Sequence, residues 1–291
     1  MIKISAVILT FNSVRSIGPC LDSLFRQSAG PVQEAIVVDN GSTDGTVEFI
    51  RKNYPRVILI GNKANLGSCA ARNQGIAAAK ADWVLTLDCD VVLAGDFLER
   101  IEESAARAPA NTGMIAAKIL MPDERTVYSC GIYLTWFRKF YDLGKGKSAG
   151  YDKDRKAFGP CSAAALYKKE MLDQIKEDTG YFDERFFFLV EDVDLAWRAE
   201  RRGWQAWFSS GARCYHAGDS SATGRKDRQL LCLRNRFYMI IKNEGILRYV
   251  CRVLPVIFYD LPRFLAVISA KRHKISPGSA TRSGLPQAGK K

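Results

Sequence analysis

The first 120 residues repeat one pattern, in which a short, nearly unbroken apolar run gives way to an amphipathic stretch and then to another run. The runs are 4–10 (ISAVILT), 35–39 (AIVVD), 57–61 (VILIG), 83–88 (WVLTLD) and 114–119 (MIAAKI). Between them stand SIGPCLDSLFRQ, with Ile17, Leu21, Leu24 and Phe25 at helical spacing, then GTVEFIRKNY and GSCAARNQGIAAAKA. Apolar runs without alternation suit strands buried on both faces, and strands alternating with helices suit a parallel sheet covered on both sides. The pattern predicts an α/β fold with three layers, αβα, around a mainly parallel sheet. In such sheets ligands collect beyond the carboxyl ends of the strands.

Polar residues stand where that edge is expected. The first run ends at Thr10-Phe11-Asn12, the second at Asp39-Asn40-Gly41-Ser42 and the fourth at Asp88-Cys89-Asp90. An Asp at a strand end is ordinary turn chemistry; three polar ends converging on one edge make a site. Asp39, an acceptor-only group, suits the imino N–H of uracil, thymine or guanine. The Asp-x-Asp triplet offers the hard oxygens a divalent cation needs, with Cys89 turned back towards the core. About 100 residues on comes Glu191-Asp192, opening a helix that reads to Arg202, with acids in its first turn and bases in its last. Its macrodipole favours that order, and Asp194 pairs with Arg198 at i,i+4.

Composition narrows the class. The 291 residues are 47% hydrophobic and 25% charged, enough for one large domain or two small ones. The net charge of +12 admits nucleic acid, an anionic membrane or a phosphate-bearing substrate. Dispersed basic residues without a binding motif argue against nucleic acid. Eight cysteines without a Cys-x-x-Cys pair read as a reduced, cytoplasmic protein, and MIKISAVILTFNS reads as a first strand rather than a signal peptide. Residues 121–225 are less regular, with a Gly/Lys-rich loop at 142–154 expected to be mobile. Residues 246–270 are apolar and aromatic but broken by Pro255, Asp260, Pro262 and Arg263, too interrupted for a spanning helix. With the cations around them they suit either peripheral contact with an anionic membrane or a helix packed on the domain. The organisation expected is one domain over 1–245, with a nucleotide-side half (1–120) and a catalytic half (121–245). An amphipathic segment (246–275) and a disordered basic tail (276–291) follow.

Seven motifs then stand in order: VILTFN, IVVDNGSTDGT, NLGSCAARNQGI, LDCDV, TGYFDERFFFLVEDVDLAWR, CYHAGDSS and RNRFYMIIKN. Over about residues 4–245 the sequence resembles the inverting GT-A glycosyltransferases of family 2, and within them the rhamnosyltransferase-like branch. The resemblance implies a GT-A fold and transfer of one sugar from a nucleotide-sugar donor. The acceptor would be a hydroxyl of a glycan or lipid-linked saccharide at the inner membrane face. A dTDP-rhamnose or UDP-sugar donor is implied, with Mg²⁺ or Mn²⁺. By position, Thr10, Phe11 and Asn12 border the nucleoside and Asp39 holds the base. Asp88 contacts the ribose or the metal, Asp90 ligates the metal, and Asp192 is the catalytic base with Glu191 as its competitor. Asn65, Gly67 and Arg72 line the nucleotide side, Arg72 being either a contact or a structural anchor. His216 either joins the metal shell or diphosphate or is structural. The stretch 218–229 resembles a lid whose Arg225, Lys226 or Arg228 covers the diphosphate.

Processive relatives carry Gln-x-x-Arg-Trp near here; this chain has Gln229 followed by LLCLRNR, which argues against a polymerase. Two other readings remain. A nucleotidyltransferase would place a Gly-rich basic loop after its first strand, where this chain has TFNSVRSIG. A non-catalytic sugar-nucleotide or glycan-binding module would have no need of the full set Asp39, Asp88, Asp90 and Asp192.

Overall fold

Strand β1 (Ile4–Thr10) is flanked by β2 (Glu34–Asp39) and β4 (Trp83–Asp88), both parallel to it, and β3 (Ile58–Gly61) lies parallel beyond β2. The computed structural model describes residues 2–28, 32–148, 150–218, 225–251 and 256–269. On the other side of β4 come β11 (Ala164–Lys168), β6 (Thr112–Leu120), β12 (Gln205–His216) and β10 (Arg155–Ala157). Two short strands, β5 (Val91–Leu93) on β12 and β7 (Val127–Ser129) on β6, complete the sheet. β11 runs against β4 and β6, while β6 and β12 run parallel to each other, so the sheet is mainly parallel.

The pleat divides the apolar runs between two cores. Val7, Ile36, Val38 and Val84 face one side, with Cys69, Ala71 and Ile76 of α3 (Ser68–Ala78) and with α5 (Lys169–Ile175) and α6 (Glu191–Arg201). Ala6, Ile8, Val37, Leu85 and Leu87 face the other, against α1 (Ile17–Phe25), α2 (Thr46–Asn53) and α4 (Phe97–Arg107). Both faces of each central strand are therefore dry, which is why their sequences do not alternate. In α1 the stripe is narrower than its spacing suggests: Ile17, Leu21 and Leu24 are buried, while Phe25 is 41% exposed. It stands one step around from Leu24 and stacks at the flank on Tyr54.

β8 (Ile132–Leu134) and β9 (Phe140–Asp142) form a separate hairpin. The described part of the 142–154 loop, expected to be mobile, is tied down. Val127 N–H donates to the Lys147 carbonyl at 2.8 Å, and Asp154 accepts from Ser104 and Ser210. Helix α7 (Arg225–Glu244) packs on α6 through a buried polar cluster. There Asp194 takes Arg198, Lys242 and Asn243, each within 2.9 Å, so the i,i+4 pair belongs to a helix–helix joint.

α8 (Ile246–Val250), a π-helical turn (Val256–Asp260) and α9 (Leu261–Ser269) follow. Asp260 is 1% exposed and paired with Arg236 of α7 at 2.7 Å. The acid that interrupts this apolar segment is thus its anchor onto the domain. Among the described residues no helix is long and apolar enough to cross a membrane. Pro255 and the 276–291 tail lie outside the described residues.

Candidate active site

Parallel register brings the expected strand ends together: Thr10 pairs with Asp39 and Leu9 with Asp88. Beyond this edge opens a cleft of about 540 Å³. Phe11, Asn65, Gly67, Arg72 and Asp88 line it from the first half of the chain. Glu191, Asp192, His216 and Arg228 line it from the second.

Thr10 does not reach the cleft. It shares the parity of Ala6 and Ile8, whereas Leu9 and Phe11 lie on the cleft wall, so the pleat leaves Thr10 fully buried with Oγ1 unpartnered. Asn12 is exposed outside the cleft, where its Oδ1 accepts from Thr43 N–H at 2.8 Å. Asp39 is 2% exposed. Its Oδ2 accepts from the N–H groups of Gly41 and Ser42, and its buried Oδ1 has no hydrogen-bond partner. Asp39 is not among the residues on the cleft wall; its own turn holds one carboxylate oxygen, and the other is a buried acceptor behind that wall. Gly41 makes that turn possible at φ +85, where a Cβ would stand 2.8 Å from the Ala64 backbone.

The edge is braced by side-chain amides and one guanidinium. Asn40 donates to Asn65 Oδ1 and to the Gly67 carbonyl, and accepts from Leu66 N–H. Gly67 needs its φ of +87 and its missing side chain, because a Cβ there would lie 2.5 Å from Phe187. Arg72, 4% exposed, donates from Nη2 to Asp88 and from Nη1 to Glu191, both at 2.7 Å. Burial opposes its charge, but Asp88 and Glu191 outweigh that and hold the guanidinium firmly protonated. Arg72 is therefore an anchor joining the two halves of the site.

His216 ends β12, whose antiparallel pairing with β5 sets it opposite Val91, just past the Asp-x-Asp turn. Its Nε2 lies 3.1 Å from Asp90 Oδ1, and Tyr128 packs edge-on against its ring. Burial works against the imidazolium, but the Asp90 hydrogen bond and the charges of Asp88 and Asp90 raise its pKa overall. Asp88, Asp90 and His216 offer ligand atoms all within 4.8 Å of one another, a cluster that could hold a divalent ion. Cys89, 5% exposed, donates to Ser13 Oγ and belongs to the core on the α1 side, with an edge on the cleft.

Asp192 sits apart from this bracing. Its Oδ2 accepts a long 3.4 Å contact from Ser162 N–H and its Oδ1 accepts from Val193 N–H. Burial first, then the charges of Glu191 and Asp142, lift its pKa from 3.8 to about 8. Its neighbour Glu191 is buried on Arg72 and also accepts from Ser68 Oγ. The two acids differ in what holds them: one is locked in an ion pair, the other is a strongly basic carboxylate facing the cleft.

The backbone leading into this pair is strained. Phe187, Leu189 and Val190 all have φ between 66° and 75°, which is costly for a β-branched residue such as Val190. Asn235 of α7 holds the bend, its Nδ2 within 2.9 Å of the carbonyls of Phe186, Phe188 and Leu189. The sequence contained a cue in this asparagine, a poor helix former inside an otherwise continuous helix. Asp142, which faces Asp192 from the β9 strand, carried no local cue at all. Arg228 lines the cleft from α7, whereas the side chains of Arg225 and Lys226 lie outside the described residues.

Similarity to known proteins agrees with this geometry. The profile described as "Glycosyl transferase family 2" matches residues 5–176. An N-acetylglucosaminyl-diphospho-decaprenol L-rhamnosyltransferase of Mycobacterium tuberculosis is 28% identical over 229 residues, or 70% of this chain and 72% of that protein. Among solved structures, S. aureus TarS superposes with a TM-score of 0.60 at 17% identity, over 93% of this chain and 46% of that one. The mannosyltransferase PcManGT from Pyrobaculum calidifontis, solved with GDP-Man and Mn²⁺, also gives 0.60 at 17% identity, over 92% and 74%. The fold is the GT-A fold of these glycosyltransferases, and the chain spans about half of the first structure it resembles. By sequence profile, sheet topology and strand-end chemistry together, this chain belongs to glycosyl transferase family 2.

Proposed function

We propose that this glycosyltransferase moves a single sugar from a nucleotide-sugar donor to a hydroxyl of a glycan or lipid-linked saccharide, inverting the anomeric carbon. One observation carries the reading: Asp192, a carboxylate of raised basicity, shares a cleft with Asp88 and His216, and Asp90 completes their cluster from just behind the cleft wall. Direct displacement needs a base on the acceptor side and charge stabilisation on the leaving-group side.

Asp39 Oδ1 receives the imino N–H of the base, while Phe11, Asn65 and Gly67 form the wall on the nucleoside side. Arg72 spends its charge on Asp88 and Glu191, orienting both without touching the donor. Glu191, so held, is unavailable as a base, and Asp192 takes the acceptor proton. Arg228 approaches the diphosphate from α7.

The donor set of two carboxylates and one imidazole fits a divalent cation, with the nitrogen suiting Mn²⁺ better than Mg²⁺. When bound, such an ion supplies neutralisation of the charge that builds on the departing diphosphate. The name of the mycobacterial relative supports a lipid-linked saccharide as acceptor and a rhamnosyl donor, and the family resemblance adds dTDP-rhamnose or a UDP-sugar as the donor's form. The chain would then work at the cytoplasmic face of a membrane, in peripheral contact through its basic C-terminal segment.

A panel of nucleotide-sugars with and without Mn²⁺, read by thermal stabilisation and donor hydrolysis, tests the reading. One donor class should stabilise and be hydrolysed only with the cation. Stabilisation without hydrolysis or transfer, across a wide acceptor panel, would instead indicate a binding module.

A further inference from the structure

The C-terminal elements expose large apolar side chains. Leu247 is 79% exposed and Phe258 74%, with Ile246, Leu261 and Leu265 each about half exposed. The tip of the β8–β9 hairpin adds Trp136, 60% exposed. This tip is fastened to the same elements. The Phe137 carbonyl accepts from Arg236, Arg138 makes a two-pronged pair with Glu244, and the Lys139 ammonium lies 5.5 Å from the Tyr259 ring centroid. Arg236 in turn is the partner of Asp260. Hairpin tip, α7 and the segment after it therefore carry their apolar side chains as one connected body.

Its charge is one-sided. In the described part of 246–269 the charged residues are Arg248, Asp260 and Arg263, and the acid is buried on Arg236. Over 246–275 the sequence holds Arg248, Arg252, Arg263, Lys271, Arg272 and Lys274 against that single acid. Apolar side chains among cations, with an exposed tryptophan beside them, match the boundary between acyl chains and anionic headgroups. They match an acidic protein surface less well, since the apolar area would stay wet.

The same hairpin reaches the cleft, for Phe140, Tyr141 and Asp142 line it. Four residues separate Phe137 from Asp142, at most about 17 Å of extended chain. Helix α7 makes a second link, with Cys232 on the cleft and Arg236 one turn further on. We propose that this face seats the protein on an anionic leaflet, with Trp136 as an interfacial anchor. The cleft is thereby held within a saccharide's length of the membrane, so that a lipid-linked acceptor enters along the hairpin. The acceptor part rests on the sugar-transfer reading above, whereas the seating does not.

The test is flotation of the full chain with phosphatidylcholine vesicles, plain or with about a third phosphatidylglycerol. The chain should float with the anionic vesicles alone. Leu247→Asp with Phe258→Asp, and separately Trp136→Ala, should each cut the bound fraction about fivefold or more while the unfolding temperature holds. Donor hydrolysis in solution should be unchanged in these variants, and transfer to a lipid-linked acceptor in vesicles should fall with the bound fraction. Flotation of the double variant equal to that of the parent overturns the proposal. So does a parent that ignores vesicles but self-associates through this face, as read by sedimentation. Normal flotation with no donor bound or hydrolysed leaves the seating intact and removes the sugar-transfer reading instead.

Discussion

Arg72 and Glu191 lie 119 residues apart in the chain and 2.7 Å apart in the fold, both lining one cleft. The pair is buried at both ends, and its other prong holds Asp88. Removing Arg72 leaves a buried carboxylate without its counter-charge. Breaking a buried pair in this way costs about 3–5 kcal/mol, and the lower end applies because Asp88 is partly solvated. Arg72→Met should therefore lower stability by about 3 kcal/mol in urea unfolding and lose transfer altogether. Unchanged stability would mean the guanidinium is not an anchor.

Asp192→Asn should reduce kcat by about 10²–10⁴, the range of a lost general base, and leave donor binding intact. Its effect on stability runs the other way. The native carboxyl holds its proton up to about pH 8, while the unfolded chain releases it near 3.8. The folded state thus loses stability as pH rises through that window. The variant cannot titrate, so its unfolding temperature should exceed the parent's by a margin that widens from pH 5 to pH 8.

The same group sets the pH profile. Asp192 must be ionised to act, so kcat/KM should rise with pH through a midpoint near 8 and level off above it. Glu191 and Asp142 oppose its ionisation, while Arg72 and Ser162 N–H favour it. Asp142→Asn removes one opposing charge, and the rising limb should move to lower pH. A limb that stays in place would detach Asp142 from Asp192.

Asn235→Ala should free the carbonyls of the strained 186–190 bend. Unsatisfied buried acceptors cost about 1–3 kcal/mol. Because the bend carries Asp192 and also packs through Phe187 on Gly67 of the nucleoside wall, kcat should fall by a larger factor than the donor KM rises. Steady-state kinetics with varied donor separates the two.

Chelation should abolish transfer, and Mn²⁺ should restore it at lower concentration than Mg²⁺, given the imidazole in the cluster. His216→Ala should narrow that preference, and Asp90→Ala should prevent recovery with either ion. Full activity in excess chelator would remove the cation from the scheme.

The apolar runs made the layered sheet legible, because a strand dry on both faces has little freedom in what it can pair with. The two-residue pleat of ISAVILT also decides that Thr10 shares a side with Ile8 rather than with Phe11. Placing Asp39 and Asp88 at one edge needed only the parallel direction of their strands. Glu191 and Asp192 could not be told apart in the same way, for both open the same helix and differ only in what the rest of the chain brings to them.

Sequence by itself determined the strand order's local logic, the acids at the strand ends and the helix that starts at Glu191. Those follow from periodicity and turn chemistry acting over a few residues. Only the tertiary structure decided that Arg72 takes Glu191, that Asp142 faces Asp192, that His216 meets Asp90 and that Asn235 holds the bend. These are contacts between groups from about 50 to more than 100 residues apart, and burial sets their strength. No local pattern encodes a desolvated charge, because the low dielectric that gives it meaning exists only once the layers have closed.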